Sequence, residues 1–238
     1  MTIYAHCLVK NEENFIWYAI SSIIDFVDKA LIWDNGSTDN TVQIIEELKK
    51  KWPTKIVFKS FSGSVSEGRQ KMIEGTDADW FIVLDGDEVW WEDSIKKLVD
   101  EINENGEKLD SIVVPFKNLV RDIFHYQEES KGKYVIDGIE GFITIRAINR
   151  NIPNLHLGNE YPSEGYFGKN ETLIQKLNSE RRKYLETPYL HLTHLKRSSK
   201  KSDKIKYGVG LSFPLDFYYP EVLFRPKPDT IPSIWTKR

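Results

Sequence analysis

A cluster of carboxylates follows the most apolar run of the sequence, and its spacing suits cation binding. The run Trp80–Leu84 is typical of a strand buried on both faces, and it leads directly into Asp85-Gly86-Asp87-Glu88. Side chains alternate along an extended chain, so Asp85 and Asp87 lie on one side and Gly86 leaves room for a ligand. Because an uncompensated acidic cluster is costly, a hard divalent cation carrying a polyanion is the candidate ligand. The alternative is an acidic turn that only ends the strand and caps the helix that follows.

The composition favours one α/β domain with a sizeable core, since 40% of the 238 residues are hydrophobic. The formal net charge of −3 argues against nucleic acid as the main partner, because binding many phosphates needs a basic face. The single cysteine, Cys7, cannot form an internal disulfide, which fits a reducing, cytoplasmic compartment. The sequence has no pattern typical of a signal peptide and no stretch apolar enough to span a membrane.

Apolar periodicity predicts strands and helices that alternate along the first ninety or so residues. This order favours an open, doubly wound, mostly parallel sheet with helices on both faces. The predicted strands are Ile3–Val9, Ala30–Trp33, Ile56–Phe58 and Trp80–Leu84, and the predicted helices are Phe15–Val27, Val42–Leu48 and Ser66–Glu74, the last with Ser66 as its N-cap.

Polar clusters follow three of these strands at the point where each strand ends. They are Asn11-Glu12, Asp34-Asn35-Gly36-Ser37 and Asp85-Gly86-Asp87. Ligands of open α/β sheets bind beyond the carboxyl ends of the strands, so these clusters are expected to form one site. Asp39, by contrast, precedes the second helix and is interpreted as its cap.

Four motifs occur in an order and at intervals that resemble the nucleotide-sugar half of family 2 glycosyltransferases with the GT-A fold. The resemblance covers about the first 105 residues. The motifs are Val9-Lys10-Asn11-Glu12-Glu13, Trp33-Asp34-Asn35-Gly36-Ser37-Thr38-Asp39-Asn40-Thr41, Glu67-Gly68-Arg69-Gln70 and Leu84-Asp85-Gly86-Asp87-Glu88.

The resemblance implies an inverting transferase that moves a sugar from a UDP- or GDP-sugar to an acceptor hydroxyl with Mn²⁺ or Mg²⁺. In this reading Asp34 receives the base, Asp85 the ribose, and Asp87 the metal that bridges the diphosphate, with Asp85 as a further metal candidate. A carboxylate can accept from an imide N–H or a ribose hydroxyl, whereas a phosphate needs a cation between itself and Asp87. The other residues expected at the donor site are Asn11, Glu12, Asn35, Gly36 and Gly86.

Basic residues are the expected partners of the diphosphate. Arg69 lies near the start of a helix and either reaches the phosphates or pairs with Glu67 or another acid. Six of the eleven residues in Lys196–Lys206 are basic. Three roles are open for this run: it binds the diphosphate, it binds the phosphate of an acceptor at a membrane surface, or it is a solvated helix face. Only Lys196 or Arg197 is expected near the site.

The second half is expected to hold the acceptor and the general base. Strands are predicted at Ser111–Phe116 and Phe142–Arg146, and the long connection Asp122–Gly141 is expected to form part of the acceptor site. An inverting transfer needs a group that takes the proton from the acceptor hydroxyl. The resemblance points to an acid in the loop near residue 160, and Glu160 is preferred over Glu164.

Two histidines lie in a predicted half-buried strand, Tyr189–Leu195. Because His191 and His194 are three residues apart, they face opposite sides of an ideal strand. His194 is the candidate that completes the metal shell, and a nitrogen ligand would favour Mn²⁺. The alternative is a structural histidine.

The chain divides into a nucleotide-sugar half at 1–105, an acceptor half at 106–210 and a proline-rich arm at 211–238. The prolines exclude a long helix in the arm, which is expected to wrap the domain or a partner subunit of a homodimer, with peripheral membrane contact as the alternative. Two other functions stay open, a nucleotidyltransferase and a non-catalytic binding module. The first normally has a glycine-rich loop after strand one, and Val9-Lys10-Asn11-Glu12 lacks glycine.

Overall fold

The computed structural model describes residues 1–159, 163–195, 211–215 and 218–234. Strands and helices alternate through its first part, as the periodicity predicts. These elements are β1 (Ile3–Val9), α1 (Ile16–Ile23), β2 (Lys29–Asp34), α2 (Thr41–Lys51), β3 (Ile56–Ser60), α3 (Val65–Glu74) and β4 (Trp80–Val83).

One further long helix and a series of mostly short strands make up the rest. They are β5 (Glu88–Trp90), α4 (Glu92–Asn105), β6 (Ser111–Asn118), β7 (His125–Gln127), β8 (Tyr134–Ile136), β9 (Ile139–Gly141), β10 (Ile143–Asn149), β11 (His156–Gly158), β12 (Gly165–Gly168), β13 (Thr172–Leu173), β14 (Arg182–Tyr184), β15 (Tyr189–His191) and β16 (Ser212–Pro214). No helix of the described residues is both long and apolar enough to cross a membrane.

A nine-stranded sheet with the order β3-β2-β1-β4-β10-β6-β15-β5 forms the centre, and β14 pairs with β6. The first four strands are parallel, which confirms the predicted doubly wound α/β fold. β10 lies between β4 and β6 and runs antiparallel to both, so it is a reversed strand next to the four parallel ones. Val9 pairs with Asp34 across β1 and β2, and this register brings the loops after the two strands side by side.

The C-terminal arm covers α1, whose eight residues are all buried. Val222 and Ile231 of the arm belong to the main hydrophobic core, and the Tyr18 hydroxyl donates to the Pro232 carbonyl at 2.8 Å. Glu221 accepts a hydrogen bond from the backbone N–H of Glu92 at 2.9 Å, which satisfies a free donor at the start of α4. In the described residues, the arm therefore packs on its own domain.

Several local predictions were wrong. The side chain that caps α3 is Ser64, which accepts from the Glu67 N–H, whereas Ser66 donates to the Asn159 carbonyl. The connection expected between residues 122 and 141 contains β7 and the hairpin β8–β9. The strand predicted to reach Leu195 ends at His191. β5 was not predicted, because three residues are too few to show a period. Asp39 accepts from the Thr41 N–H at the start of α2, as predicted, although the residue at the N-cap position is Asn40.

His6 is a buried titratable group in the core beneath the site. Its ring is 4% exposed and stacks on Phe81, with ring centroids 4.4 Å apart. Its Nε2 lies 2.6 Å from Thr76 Oγ1, which itself donates to the Met72 carbonyl, so Nε2 is the donor. Burial, together with the nearby charge of Arg69, lowers the pKa of His6 to about 3.

We expect His6 to make the fold sensitive to acid. Its pKa is near 6.5 in the unfolded chain and about 3 in the folded chain, so between these values only the unfolded chain takes up the proton. The free energy of unfolding is therefore highest above pH 6.5 and decreases as the pH falls toward 3. Between pH 7 and pH 4 this effect should account for roughly 3 kcal/mol of unfolding free energy. Urea unfolding of His6→Phe should show a shallower pH slope than wild type, with the part-exposed His156→Phe as the control. Equal slopes for His6→Phe and wild type would contradict the prediction.

Candidate active site

A cavity of about 370 Å³ lies at the carboxyl ends of β1, β2 and β4. It is lined by Leu8, Val9, Lys10, Glu12, Asn35, Val65, Arg69, Asp85, Gly86, Asp87, Glu164, His191 and Thr193. Seven of the predicted site residues are therefore brought together. Glu12, Asn35, Asp85, Gly86 and Asp87 follow strand ends, Arg69 lies in α3, and Glu164 precedes β12. Glu160, Lys196 and Arg197 lie outside the described residues, so their predicted roles remain predictions.

The loops after β1 and β2 are held to each other by hydrogen bonds. Asn11 adopts a left-handed conformation with φ 57°, and its Oδ1 accepts from the Thr38 N–H at 2.7 Å. Its own N–H donates to Ser37 Oγ at 2.8 Å, and the N–H of Glu12 donates to Thr41 Oγ1 at 2.7 Å. Asn11 thus links the two loops and does not line the cavity, whereas Glu12 does.

Asp34 ends β2 and is only 4% exposed. Its Oδ2 accepts from the N–H groups of Gly36 and Ser37 at 3.1 and 3.0 Å, and Gly36 has the left-handed φ of 73° that this turn requires. Its Oδ1 is buried and has no hydrogen-bond partner among the described residues. A buried acceptor without a donor costs about 1 to 3 kcal/mol, so a ligand N–H would relieve a real penalty here.

Gly86 allows the turn after β4 to approach the loop after β1. A Cβ atom at this position would lie 3.0 Å from Cγ and 3.2 Å from Cβ of Glu12, which is closer than ordinary van der Waals contact. A larger residue would therefore push Glu12 and the acidic turn apart. The glycine of the Asp-Gly-Asp motif is explained by packing as well as by access for a ligand.

Asp85 is held between two guanidinium groups. Arg69 Nη2 donates to its Oδ1 at 2.7 Å, and Arg146 Nη2 donates to its Oδ2 at 3.3 Å. Burial would raise the pKa of Asp85, but Arg69 and then Arg146 outweigh burial and hold the pKa below its usual range. Arg69 therefore pairs with Asp85, while Glu67 pairs with Lys71. Because each carboxylate oxygen already faces a cation, this geometry does not favour Asp85 as a metal ligand.

Glu88 and Arg146, which the sequence analysis did not assign to the site, hold Asp85 through hydrogen bonds. Glu88 is fully buried and accepts both from Arg146 and from the Asp85 N–H, the latter at 3.2 Å. Arg146 Nε also donates to the Tyr189 hydroxyl at 3.0 Å. Burial raises the pKa of Glu88 to about 7, although Arg146 opposes the shift. The available signal was Arg146 itself, the one charged residue of the predicted strand Phe142–Arg146.

Asp87 faces His191 across a short gap at the floor of the cavity. Its side chain is 3% exposed, and His191 Nε2 lies 3.5 Å from its Oδ2. His191 Nδ1 lies 3.1 Å from Oδ1 of Asn118, whose amide nitrogen donates to Gln127, so Nδ1 carries the proton. When the ring is neutral, Nε2 is an acceptor that faces the Asp87 carboxylate, and when the ring is protonated the two groups form an ion pair. Two such acceptors at this separation suit a shared cation.

The donor set therefore fits a divalent metal only in part. Among the described residues, no three His, Cys, Asp or Glu side chains are arranged to hold a metal ion by themselves. Asp87 and His191 supply one oxygen and one nitrogen, and a bound polyanion would have to provide further ligands. His194, the histidine preferred from the sequence, does not line the cavity. The strand ends at His191, so its alternation does not extend to residue 194.

Glu164 directly precedes β12 and is contributed by the second half of the chain. It lines both this cavity and the adjoining one. Its Oε2 is buried and has no hydrogen-bond partner among the described residues. A carboxylate oxygen in this position is available to accept a proton from a substrate hydroxyl.

Comparison with known proteins gives one family match and several partial relatives. The model of "Glycosyl transferase family 2" matches residues 8–161. An uncharacterized glycosyltransferase of Rickettsia felis is 36% identical over 101 residues, which cover 42% of this chain and 32% of that protein. A Rickettsia conorii counterpart is 35% identical over 101 residues, with the same coverage. The chain thus spans about a third of the length of these relatives.

Solved structures with the same fold are longer and distant in sequence. S. aureus TarS 1–349 in complex with UDP-GlcNAc superposes with a TM-score of 0.57 at 15% identity, covering 84% of this chain and 60% of that one. Glucosyl-3-phosphoglycerate synthase from Mycobacterium tuberculosis, in complex with Mn²⁺ and UDP-glucose, gives a TM-score of 0.50 at 16% identity, covering 80% and 71%. These likenesses establish the GT-A fold.

Proposed function

The chain belongs to glycosyl transferase family 2, and from that premise we propose that it transfers a sugar from a UDP-sugar to an acceptor hydroxyl with inversion at the anomeric carbon. The observation that carries the proposal is the cavity where acidic strand ends meet Glu164. UDP is preferred over GDP because TarS and the mycobacterial synthase were solved with UDP or UDP-sugars.

Asp34 and Asp85 are proposed to bind the nucleoside. The buried Oδ1 of Asp34 would accept from the imide N–H of the base, since it has no donor among the described residues. The depressed pKa of Asp85 keeps its carboxylate ionised, and its side chain is 32% exposed, so it can accept from ribose hydroxyls. Arg69 stays paired with Asp85 and fixes its orientation.

Asp87 and His191 are the residues proposed to hold a divalent cation, and the imidazole nitrogen favours Mn²⁺ over Mg²⁺. When bound, the cation would neutralise charge on the departing diphosphate. The protein contributes a carboxylate that is fixed in a nearly solvent-free position. His191 is held in turn by Asn118, so the two metal-facing atoms are preorganised.

Glu164 is proposed as the general base. In the transfer, the acceptor oxygen forms a bond to the anomeric carbon while the bond from that carbon to the diphosphate oxygen breaks. The hydroxyl proton passes to Glu164. Glu164 is supported by its place between two cavities, which would hold donor and acceptor on opposite sides of the carboxylate. Glu160 stays the alternative from the sequence.

Asp34→Asn should weaken UDP binding by roughly 10- to 100-fold, because it replaces a charged acceptor by a neutral amide. The asparagine can keep one oxygen for the N–H groups of Gly36 and Ser37, so the turn should persist. Isothermal titration calorimetry with UDP and Mn²⁺ measures the effect. Asp39→Asn is the matched control, since Asp39 contacts the start of α2. Unchanged UDP affinity in Asp34→Asn would remove Asp34 from the base site.

Glu164→Gln should lower kcat for sugar transfer by roughly 10²- to 10⁴-fold, the range typical of a general base. UDP affinity should stay within about twofold, because the proposed role concerns only the acceptor proton. The measurement is release of UDP from a panel of UDP-sugars with an acceptor mixture, compared with Glu160→Gln. A large loss confined to Glu160→Gln would assign the base to residue 160.

A further inference from the structure

A second cavity of about 400 Å³ adjoins the candidate active site and shares Arg69 and Glu164 with it. We propose that this second cavity binds an amphipathic acceptor, whose reactive hydroxyl meets Glu164 while an apolar body lies against the cavity wall. The inference rests on the proposed transfer reaction and names the chemical class of its acceptor.

Aliphatic side chains are the largest group among the residues that line the second cavity. Its residues include Val83, Ile136, Ile143, Ile145 and Leu157. A sugar buried against such a wall would leave several hydroxyls without partners, and each unpaired group carries a desolvation cost. A hydrocarbon or aromatic body carries no such cost, and its burial is favourable in proportion to the apolar area removed from water.

The charged groups of this cavity do not favour an anionic acceptor. The cations that line it are Arg69 and Arg146. Both guanidinium groups are already bound to Asp85, and Arg146 also pairs with the buried Glu88. A phosphate or carboxylate would therefore have to compete with carboxylates that the fold holds in place. Within the described lining, Glu164 adds a further negative charge.

Apolar surface continues from the cavity to the outside along the hairpin β8–β9. Tyr134 and Val135 line the cavity and are 41% and 63% exposed. Single exposed apolar residues are ordinary, but these two are neighbours in sequence and both belong to the lining of this cavity. An acceptor longer than the cavity would thus find an apolar exit path. Ile139, on the other strand of the hairpin, lines a different cavity.

The hairpin is fixed in place, so the cavity is preformed. Its tip is the turn Asp137-Gly138, with φ of 50° and 80°. Arg182 Nη1 contacts both oxygens of Asp137 at 2.6 and 2.7 Å, and the Arg182 side chain is 2% exposed. Arg182 Nη2 also donates to the Ile174 carbonyl at 2.6 Å. A charge-assisted pair made by a buried arginine is a strong restraint, and a preformed wall loses little entropy on binding.

The test compares methyl and octyl β-glucosides as probes, each below its micelle-forming concentration. We expect octyl glucoside to bind the UDP-loaded protein at least tenfold more tightly than methyl glucoside, measured by calorimetry. Val135→Ser should weaken octyl glucoside binding at least threefold, whereas Ile139→Ser, on the same hairpin, should not.

Equal affinities for the two glucosides, or equal effects of Val135→Ser and Ile139→Ser, would overturn the amphipathic acceptor. UDP binding and slow hydrolysis of UDP-sugars in the absence of acceptor are measured on the same proteins. Both should be unchanged in the two hairpin variants. A wild-type protein that neither binds UDP nor hydrolyses any UDP-sugar would instead defeat the proposed transfer reaction, independently of the glucoside result.

Discussion

Asp87→Asn is expected to lower sugar transfer by roughly three orders of magnitude while the chain still folds. The carboxylate of Asp87 is proposed to hold the cation that neutralises the leaving diphosphate, and such charge stabilisation is worth several kcal/mol of barrier. Asparagine has the same shape, so the backbone hydrogen bond from the Leu192 N–H to the Asp87 carbonyl should persist. The measurements are UDP release and the Mn²⁺ dependence of UDP affinity.

The matched control is Asp79→Asn. Asp79 directly precedes β4, whereas Asp87 follows the same strand, so the two residues lie at opposite ends of that strand. Asp79 accepts from the Thr2 N–H at 2.8 Å and is exposed. We expect near wild-type turnover and unchanged Mn²⁺ dependence in this variant. Wild-type turnover in Asp87→Asn, or UDP affinity that still rises with Mn²⁺ as in wild type, would exclude Asp87 as the metal ligand.

The sequence was sufficient to predict which acidic side chains lie at the carboxyl ends of the parallel strands, while their roles in a site stay predictions. Asp34 and Asp85 come directly after or at the end of predicted buried strands, and parallel pairing brings such ends to one edge. Arg146 could not be placed this way. Its role depends on β10 lying antiparallel beside β4, a pairing between residues more than sixty positions apart. Periodicity predicts a strand but not its neighbours.

The histidines illustrate a second limit. Alternation predicted that His191 and His194 face opposite sides, but it could not say which side faces the cavity. The choice was decided by β15 pairing with both β5 and β6, which sets His191 opposite Glu88 and Asn118. Both pairings are long-range. Neither could be derived from the residues that surround the histidines.

The surface that the arm covers could have been predicted from the sequence of α1. The residues of α1, Ile-Trp-Tyr-Ala-Ile-Ser-Ser-Ile, carry no charge on any face. A helix that is apolar all round must be covered on both sides, so a second layer over α1 could have been predicted. The prolines predicted an extended arm, and the uncharged helix could have indicated which surface the arm covers.

Arg146→Met should lower the free energy of unfolding by roughly 3 to 5 kcal/mol, the cost typical of leaving a buried charge without its partner. The Arg146 side chain is 11% exposed and contacts Asp85, Glu88 and Tyr189, so its loss leaves Glu88 as a fully buried acid without a cation. Methionine has a similar length and should fill much of the volume. Urea unfolding at pH 7.5 measures the change.

A double variant separates lost charge pairing from lost packing. Arg146→Met combined with Glu88→Gln removes the buried acid that has lost its cation, so it should recover a large part of the lost stability, and the coupling between the two sites should exceed about 1 kcal/mol. Arg181→Met is the control, because Arg181 pairs with Asp110 but is 43% exposed, and exposed pairs contribute roughly 0 to 1 kcal/mol. If Arg146→Met behaved like this control, the contacts of Arg146 with Asp85 and Glu88 would stabilise the fold no more than an exposed ion pair does.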